Sequence, residues 1–306
     1  MNWNFQDILI SERQNLPIDF ARVMPHKNLL VEIGFGNGEF TTFLGKQNPE
    51  DLVIGIEVSQ MCVTKACRRL LTEGLDNVRL FHGDAGLILR KSFAPKSVAK
   101  VFMNFPCPWP KARHASRRVT VPSFVQLLDY ILTVGGEFHL ATDVEWYATD
   151  CAEIFSTVEN FRVAPLLKNP TRPYVTKYER KWQKEGRVTW DLVITKVSDS
   201  KINEMEQDIM EENFEVSGNV EEIMKSLLGA EGAGTDGTGH YVFRDFYTSQ
   251  SGVGIMLVIT SDEGFEQHFY MKFLPRENGV IMKLDPIGHP YRTPAVKAAI
   301  KRAMRH

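Results

Sequence analysis

The sequence predicts an α/β protein: a doubly wound sheet with a second, smaller α+β domain behind it. Three observations predict it. Short, nearly continuous apolar runs alternate with helix-like stretches between residues 28 and 197, as strands buried on both faces require. The first run opens into a glycine-rich turn, Gly34-Phe35-Gly36-Asn37-Gly38, at the edge where open α/β sheets place their ligands. Composition then shifts after Ser198, into an acidic stretch followed by β-like runs. A length of 306 residues also exceeds what one hydrophobic core usually serves. The expected division is a first domain over 1–198, an acidic linker over 199–216 and an accessory domain over 217–306.

Taken in order, strands are expected at 29–33, 52–58, 78–81, 98–103 and 136–141, with a further strand at 189–196 closing the first domain. Helices are expected at 39–46, at 59–73 with Ser59 as N-cap, at 123–132, and at 145–156 behind Asp143. The linker sets Asp199, Glu204, Glu206, Asp208, Glu211, Glu212 and Glu215 against Lys201 alone. Residues 229–239 are rich in glycine and read as a mobile loop. Beta-like runs at 241–246, 254–260, 267–274 and 280–284, then a basic helix from Pro294, predict a small antiparallel sheet with one helix.

The bulk composition is 43% apolar and 24% charged with a net charge of −2, so any nucleic-acid surface must be local. Cys62, Cys67, Cys107 and Cys151 are scattered without metal-ligand spacing, which predicts free thiols, no metal and a reducing compartment. Residues 1–21 hold no signal-peptide core, and no apolar run approaches a membrane span. A cytoplasmic protein with no membrane partner is expected.

Carboxylates mark the ligand edge. The glycine turn has the spacing G-x-G-x-G, and the position where a dinucleotide fingerprint needs its third glycine holds Glu39, which would repel a pyrophosphate. Glu32 ends the first strand, Glu57 the second, and Asp84 follows the third. Glu57 can accept from both hydroxyls of a ribose, and Asp84 is placed to meet an adenine amine. Any one of these acids alone reads more readily as a helix cap or a solvated turn residue. All three in register, with Gly34, Gly36 and Gly38, predict an adenosyl ligand without phosphates. S-adenosylmethionine fits, since a sulfonium suits an acidic pocket.

The run Asn104-Phe-Pro-Cys-Pro-Trp-Pro-Lys-Ala-Arg-His-Ala-Ser-Arg-Arg118 leaves the fourth strand directly. Its prolines stiffen the backbone, and its basic tail contains no acid. A rigid turn, a flat aromatic and clustered positive charge predict a site that holds a base near a phosphate backbone.

Together these motifs resemble the bacterial tRNA (guanine-N7)-methyltransferases, within the Rossmann-like class that uses S-adenosylmethionine. The resemblance rests on Glu32-Ile-Gly-Phe-Gly-Asn-Gly38, Gly55-Ile-Glu57, Gly83-Asp-Ala85, the 104–118 run, Ala141-Thr-Asp143 and Thr176-Lys-Tyr-Glu179, and it spans roughly residues 25–197. It implies methyl transfer to N7 of the variable-loop guanine of tRNA. It implies that Glu32, Glu57, Asp84 and Asn104 hold the cofactor, and that Lys111, Asp143, Thr176, Lys177, Tyr178 and Glu179 hold the guanosine. In one place the sequence departs from the family pattern F-P-D-P-W: the aspartate implicated in cofactor binding and catalysis is Cys107 here. A neutral thiol accepts hydrogen bonds poorly, yet guanine N7 carries a lone pair and no proton, so its methylation needs no general base. An active enzyme with compensation through Asn104 or Asp143 is expected.

Two other readings compete. Asn104-Phe-Pro resembles the Asn-Pro-Pro-aromatic turn of adenine amino-methylating enzymes, but the aromatic residue falls late, at Trp109. A non-catalytic tRNA-binding protein, silenced at Cys107, would have no need of intact Glu32, Glu57 and Asp84. Further basic groups gather at Lys177, Arg180, Lys181, Lys184 and Arg187, and again from Lys283 to Arg305. Both patches suit phosphate contact. The accessory domain is expected to clamp tRNA or stiffen the fold.

Overall fold

The computed structural model describes residues 5–10, 16–108, 121–175, 179–180, 186–199, 213–262, 265–277, 279–285, 290 and 293–305. The chain forms two compact units, Met1–Asn203 and Glu204–His306.

In the first unit, two short helices, α1 (Phe5–Ile8) and α2 (Phe20–Val23), precede β1 (Leu29–Ile33). Every residue of β1 is buried, as expected of an apolar run covered on both faces. The chain continues through α3 (Glu39–Gln47), β2 (Leu52–Glu57), α4 (Gln60–Glu73), β3 (Val78–His82), α5 (Ala85–Ser92) and β4 (Val98–Asn104). Then come α6 (Pro122–Ile131), β5 (Leu132–Thr142), α7 (Glu145–Ser156), β6 (Phe161–Val163), β7 (Leu167–Lys168) and β8 (Trp190–Lys196). The strand order is β3-β2-β1-β4-β5-β8-β6, with β7 also on β8.

Strands β1 to β5 pair in parallel, and β8 runs antiparallel to β5, β6 and β7. The parallel doubly wound core is as the sequence predicts; the antiparallel β8, inserted between β5 and β6, is not legible from apolar runs alone. Because β1 lies between β2 and β4, the connections leaving β1 and β4 diverge there. That switch point opens a crevice at the carboxyl ends of the strands.

Helix α4 shows how local chemistry sets an element. Ser59 caps it by accepting from Cys62 N, Gly74 ends it in the left-handed conformation at φ 65°, and Val63, Ala66, Cys67 and Leu70 form its buried stripe. This stripe packs with Leu30, Val53 and Leu80 of the sheet. Helix α5 was not expected; Asp84 starts it by accepting from Leu87 N at 2.9 Å. At the far side of the sheet, Lys196 is fully buried, and its ammonium donates to the carbonyl of Leu132 at 3.1 Å and faces Asp129 Oδ1 and Asp199 Oδ1 at 3.3 Å each. A buried ammonium survives only with partners of this kind.

The second unit holds β9 (Asn213–Val216), α8 (Val220–Leu227), β10 (Glu231–Ala233), β11 (His240–Thr248), β12 (Gly254–Asp262), β13 (Phe265–Arg276), β14 (Gly279–Leu284) and α9 (Pro294–Arg305). Its sheet is antiparallel in the order β10-β11-β12-β13-β14-β9. Alternate residues of β12 are buried, and the core joins Phe243, Met256, Val258, Phe269, Met271 and Phe273 to Ile223 and Met224 of α8 and to Val296 and Ile300 of α9.

Three expectations change. The sheet carries two helices instead of one. The last residues of the expected acidic linker, Asn213–Val216, form edge strand β9, with Phe214 and Val216 turned into the core. The glycine-rich stretch contributes the short strand β10.

Candidate functional site

The crevice between β1 and β4 is built around one carboxylate. Glu32 on β1 is 2% exposed. Its Oε2 accepts from the hydroxyl of Thr41 on α3, and its Oε1 accepts from Asn104 Nδ2 at 3.3 Å. Asn104 ends β4, so this bond spans the switch point. Burial pushes the Glu32 carboxyl up to about 7, with a smaller push from the Glu57 charge and opposing pulls from the Thr41 and Asn104 bonds.

The glycine turn beside it is shaped by backbone that other residues adopt at a cost. Gly34 and Gly36 have φ of +73° and +56°, and a Cβ built on either meets no atom within 4 Å, so both border open space. Gly38 is different: a Cβ there would sit 2.7 Å from Ala66 Cβ, because α3 and α4 cross closely. Glu57, at the end of β2, is locked in place, its Oε2 accepting from Gly36 N at 3.0 Å and its Oε1 from Ser59 N at 2.9 Å. Each oxygen keeps a second lone pair for a ligand donor. Asp84 is exposed and uses Oδ1 as the cap of α5. Val58 and Met61, which follow Glu57, are 66% and 64% exposed and offer apolar surface at the same edge. Glu39 sits in the first turn of α3, the place a pyrophosphate takes in dinucleotide sites, with Arg69 and Arg180 at 3.8 and 3.9 Å.

The loop after β4 begins with a strained residue. Phe105 has φ +52°, and its N–H donates to Ala141 O at 2.7 Å. That conformation costs a non-glycine residue ~1–2 kcal/mol. The Arg172 guanidinium lies 5.0 Å from the Phe105 ring centroid, and a stack of this kind returns a comparable amount, ~1–2 kcal/mol when desolvated. Cys107 is exposed with a free thiol. Cys67 and Cys151 are buried, and burial pushes the Cys151 thiol up to about 12.

Of the residues expected to hold the substrate, Asp143 pairs with Arg187 at 3.3 Å on a partly exposed surface. Glu179 is instead buried, 2% exposed, and accepts from Arg172 at 2.6 Å. Lys111, Thr176, Lys177 and Tyr178, with most of the basic run, lie outside the described residues. The structure thus brings together Glu32, Asn104, Gly34, Gly36 and Glu57. Thr41 and Arg172 were missed. No sequence rule pairs Thr41 with Glu32, and Arg172, just ahead of the Thr176–Glu179 motif, is one of four bases (Arg162, Lys168, Arg172, Lys177) in the acid-free stretch 160–178, with nothing local to single it out. Among the described residues, no group of three or more His, Cys, Asp or Glu side chains could hold a metal ion. No helix among them is long and apolar enough to cross a membrane.

A family model described as a putative methyltransferase matches residues 26–192, from just before β1 into the first residues of β8. The chain is 39% identical over 292 residues to the tRNA (guanine-N(7)-)-methyltransferase of Thermotoga maritima, covering 94% of this chain and 91% of that protein. The chain belongs to the tRNA (guanine-N7)-methyltransferase family. It is also 30% identical to the enzyme of the same name from Aquifex aeolicus, over 90% of this chain and 92% of that one. With the one from Nitrosococcus oceani it shares 37% identity, but over only 60% of this chain and 78% of the relative. The first two matches, over 94% and 90% of the chain, necessarily reach into the second unit.

Membership of this methyltransferase family implies S-adenosylmethionine as cofactor, and the crevice suits it. Gly34 and Gly36 leave room that any side chain would fill, and the acids beside them accept from hydroxyl and amine donors and attract the charge of a sulfonium.

Proposed function

We propose that this chain methylates N7 of the variable-loop guanine of tRNA, using S-adenosylmethionine. The observation that carries the reading is the Glu32–Asn104 bond across the switch point, which joins the cofactor side of the crevice to the loop expected to hold the guanine. When bound, S-adenosylmethionine would supply a methyl carbon activated by a positive sulfur, for which guanine N7 offers a lone pair and the neutral thioether is the leaving group. Glu32 and Glu57 hold the cofactor's cationic and ribose ends, the Gly34–Gly36 turn lets it approach the backbone, and Asn104 keeps Glu32 oriented. Asp84, exposed at the rim, would accept from the adenine amine. Lys111, Asp143 and the Thr176–Tyr178 segment hold the guanosine and its phosphates, with Glu179 anchoring that segment from beneath. The protein's main contribution is alignment, which is the larger part of such a rate enhancement.

The test is methyl transfer from labelled S-adenosylmethionine to an unmodified tRNA transcript, followed by mapping of the modified base. Label at N7 of the variable-loop guanine is expected. Bound tRNA without label would instead support the silenced, tRNA-binding reading.

Cys107 gives a sharper expectation. Since N7 surrenders no proton, Cys107→Asp should change the methylation rate by no more than a few-fold and leave cofactor affinity unaltered. An electrostatic helper that the site lacked would be worth roughly a hundredfold. A gain of that size in the variant would show the thiol to be a defect.

For the second unit, we assign the outward face of α9 to tRNA phosphates. Lys297, Lys301, Arg302 and Arg305 lie on that helix with no acid among residues 294–305. Replacing Lys297, Lys301 and Arg305 together by alanine should raise the Michaelis constant for tRNA and flatten its salt dependence by roughly one logarithmic unit of slope per lost contact. An unchanged slope would leave the helix without that role.

A further inference from the structure

Arg172 stands at the junction of the segments assigned above to the substrate. Its Nε donates to Asp191 Oδ2 on β8 at 2.9 Å, and its Nη2 donates to the other oxygen of the same carboxylate. Its Nη1 donates to Glu179 Oε1 at 2.6 Å, and its guanidinium carbon lies over the Phe105 ring, 5.0 Å from the centroid. Asp191 is the register partner of Ala141 on β5, and the carbonyl of Ala141 is the acceptor for Phe105 N. One guanidinium thus touches the loop after β4, the strand beside Ala141-Thr142-Asp143, and the Glu179 end of the last motif. Its side chain is 10% exposed and that of Glu179 3%. Both are therefore held away from bulk water, where charge-assisted hydrogen bonds are at their most directional.

We propose that Arg172 is a positioning residue for methyl transfer, fixing the Phe105 turn and Glu179 in a single arrangement and so placing the guanine against the cofactor. The proposal rests on the reading given under Proposed function. Guanidinium chemistry is what the position demands. Three donors reach two carboxylates while the guanidinium carbon lies over an aromatic ring, and an ammonium has no such fork. The Phe105 turn also follows directly on Asn104, whose amide holds Glu32, so the substrate loop and the cofactor side of the crevice meet at this point. Burial of Glu179 under Arg172 explains why this acid belongs to the site's scaffold and is not displayed on its surface.

The experiment is single-turnover methylation of an unmodified tRNA transcript by the full chain, with S-adenosylhomocysteine binding and the thermal midpoint measured for each variant. Arg172→Met should lower the single-turnover rate at least thirtyfold while changing the S-adenosylhomocysteine dissociation constant less than threefold. Arg172→Lys, which keeps the charge, should still lose at least tenfold. In a Glu179→Gln background most of the Arg172→Met effect should vanish, because the two residues act as one unit. A purely structural arginine would lower the thermal midpoint and leave the folded protein's rate near wild type. That result, or full multiplicativity with Glu179→Gln, overturns the proposal. Should Arg172→Met fail to fold, Arg172→Lys carries the test, and a rate within threefold of wild type overturns it. Wild-type protein run in parallel separates the two levels: no label there sinks the functional reading itself, whereas label there with unaltered variants sinks only the role of Arg172.

Discussion

Replacing Glu32 by glutamine is expected to stabilise the cofactor-free protein above pH 7 and to weaken S-adenosylmethionine binding roughly 10- to 100-fold, the worth of one or two hydrogen bonds to a charged group. The sign follows from the direction of the shift. Burial raises the Glu32 carboxyl from its ordinary 4.5 to about 7, so between those values the folded chain binds more protons than the unfolded one. Stability from this group is therefore fully present at low pH and is lost as pH rises toward 7, by roughly 3 kcal/mol in all. Glutamine keeps the volume and has no proton to lose, so the variant should show no such loss.

Denaturant titrations of both proteins at pH 5 and pH 8 isolate the group, since every other ionisable residue is common to the pair. The cofactor responds with the opposite sign. A sulfonium and an ammonium favour the ionised carboxylate, so wild-type affinity should climb as pH passes through about 7 and then level off. Glu32→Gln should give a flat profile across the same range. Equal slopes in the two proteins would mean that Glu32 does not titrate in the crevice. The strained acid is thus a stability cost retained for binding, the usual signature of a functional carboxylate.

How much of this was legible depends on the kind of interaction. Strands β1 and β2 could be read because a strand covered on both faces must be largely apolar, and 29–33 or 52–57 have no other use for such a run. Glu32, Glu57 and Asp84 could be placed because each ends or follows a strand. Asp84 is the instructive case: it does follow β3, and it also caps α5, a helix that its own capping chemistry announces. Helix α8 was hidden by charge. Glu221 and Glu222 belong to its first turn, where they favour the helix dipole, but in sequence they stand just beyond the acidic linker read over 199–216. Val220, Ile223, Met224 and Leu227 carried the helical period all along. What could not be read was contact between distant segments. The Thr41–Glu32 bond and the meeting of Arg172 with Asp191 and Glu179 depend on how helix and loops are laid over the sheet, and no local pattern encodes them.

The three glycines of the turn should separate into two classes when each is given a methyl group. Gly36→Ala is expected to spare the fold and damage the cofactor site. The residue has φ +56° and open space at the Cβ position, so the new methyl meets only the ligand that the crevice is built to accept. Strain of ~1–2 kcal/mol from the left-handed backbone limits the stability loss. Overpacking against a close-fitting ligand costs ~1–3 kcal/mol, so S-adenosylmethionine affinity should fall roughly tenfold or more. Gly38→Ala should do the reverse. Its Cβ would lie 2.7 Å from Ala66 Cβ and 3.2 Å from Ala66 Cα, atoms of helix α4 that no rotamer change can move. Helix α3 must then retreat from α4, and strain at φ +76° is added to overpacking, for a stability loss of roughly 2–4 kcal/mol. Urea midpoints and cofactor titrations on the two variants decide the matter. Stability loss confined to Gly36→Ala, with affinity loss confined to Gly38→Ala, would place the ligand on the wrong side of the turn. The two classes also explain why a glycine-rich turn is so weak a signature when read alone. One glycine is there for the ligand and another for a helix crossing, and the sequence writes both with the same letter.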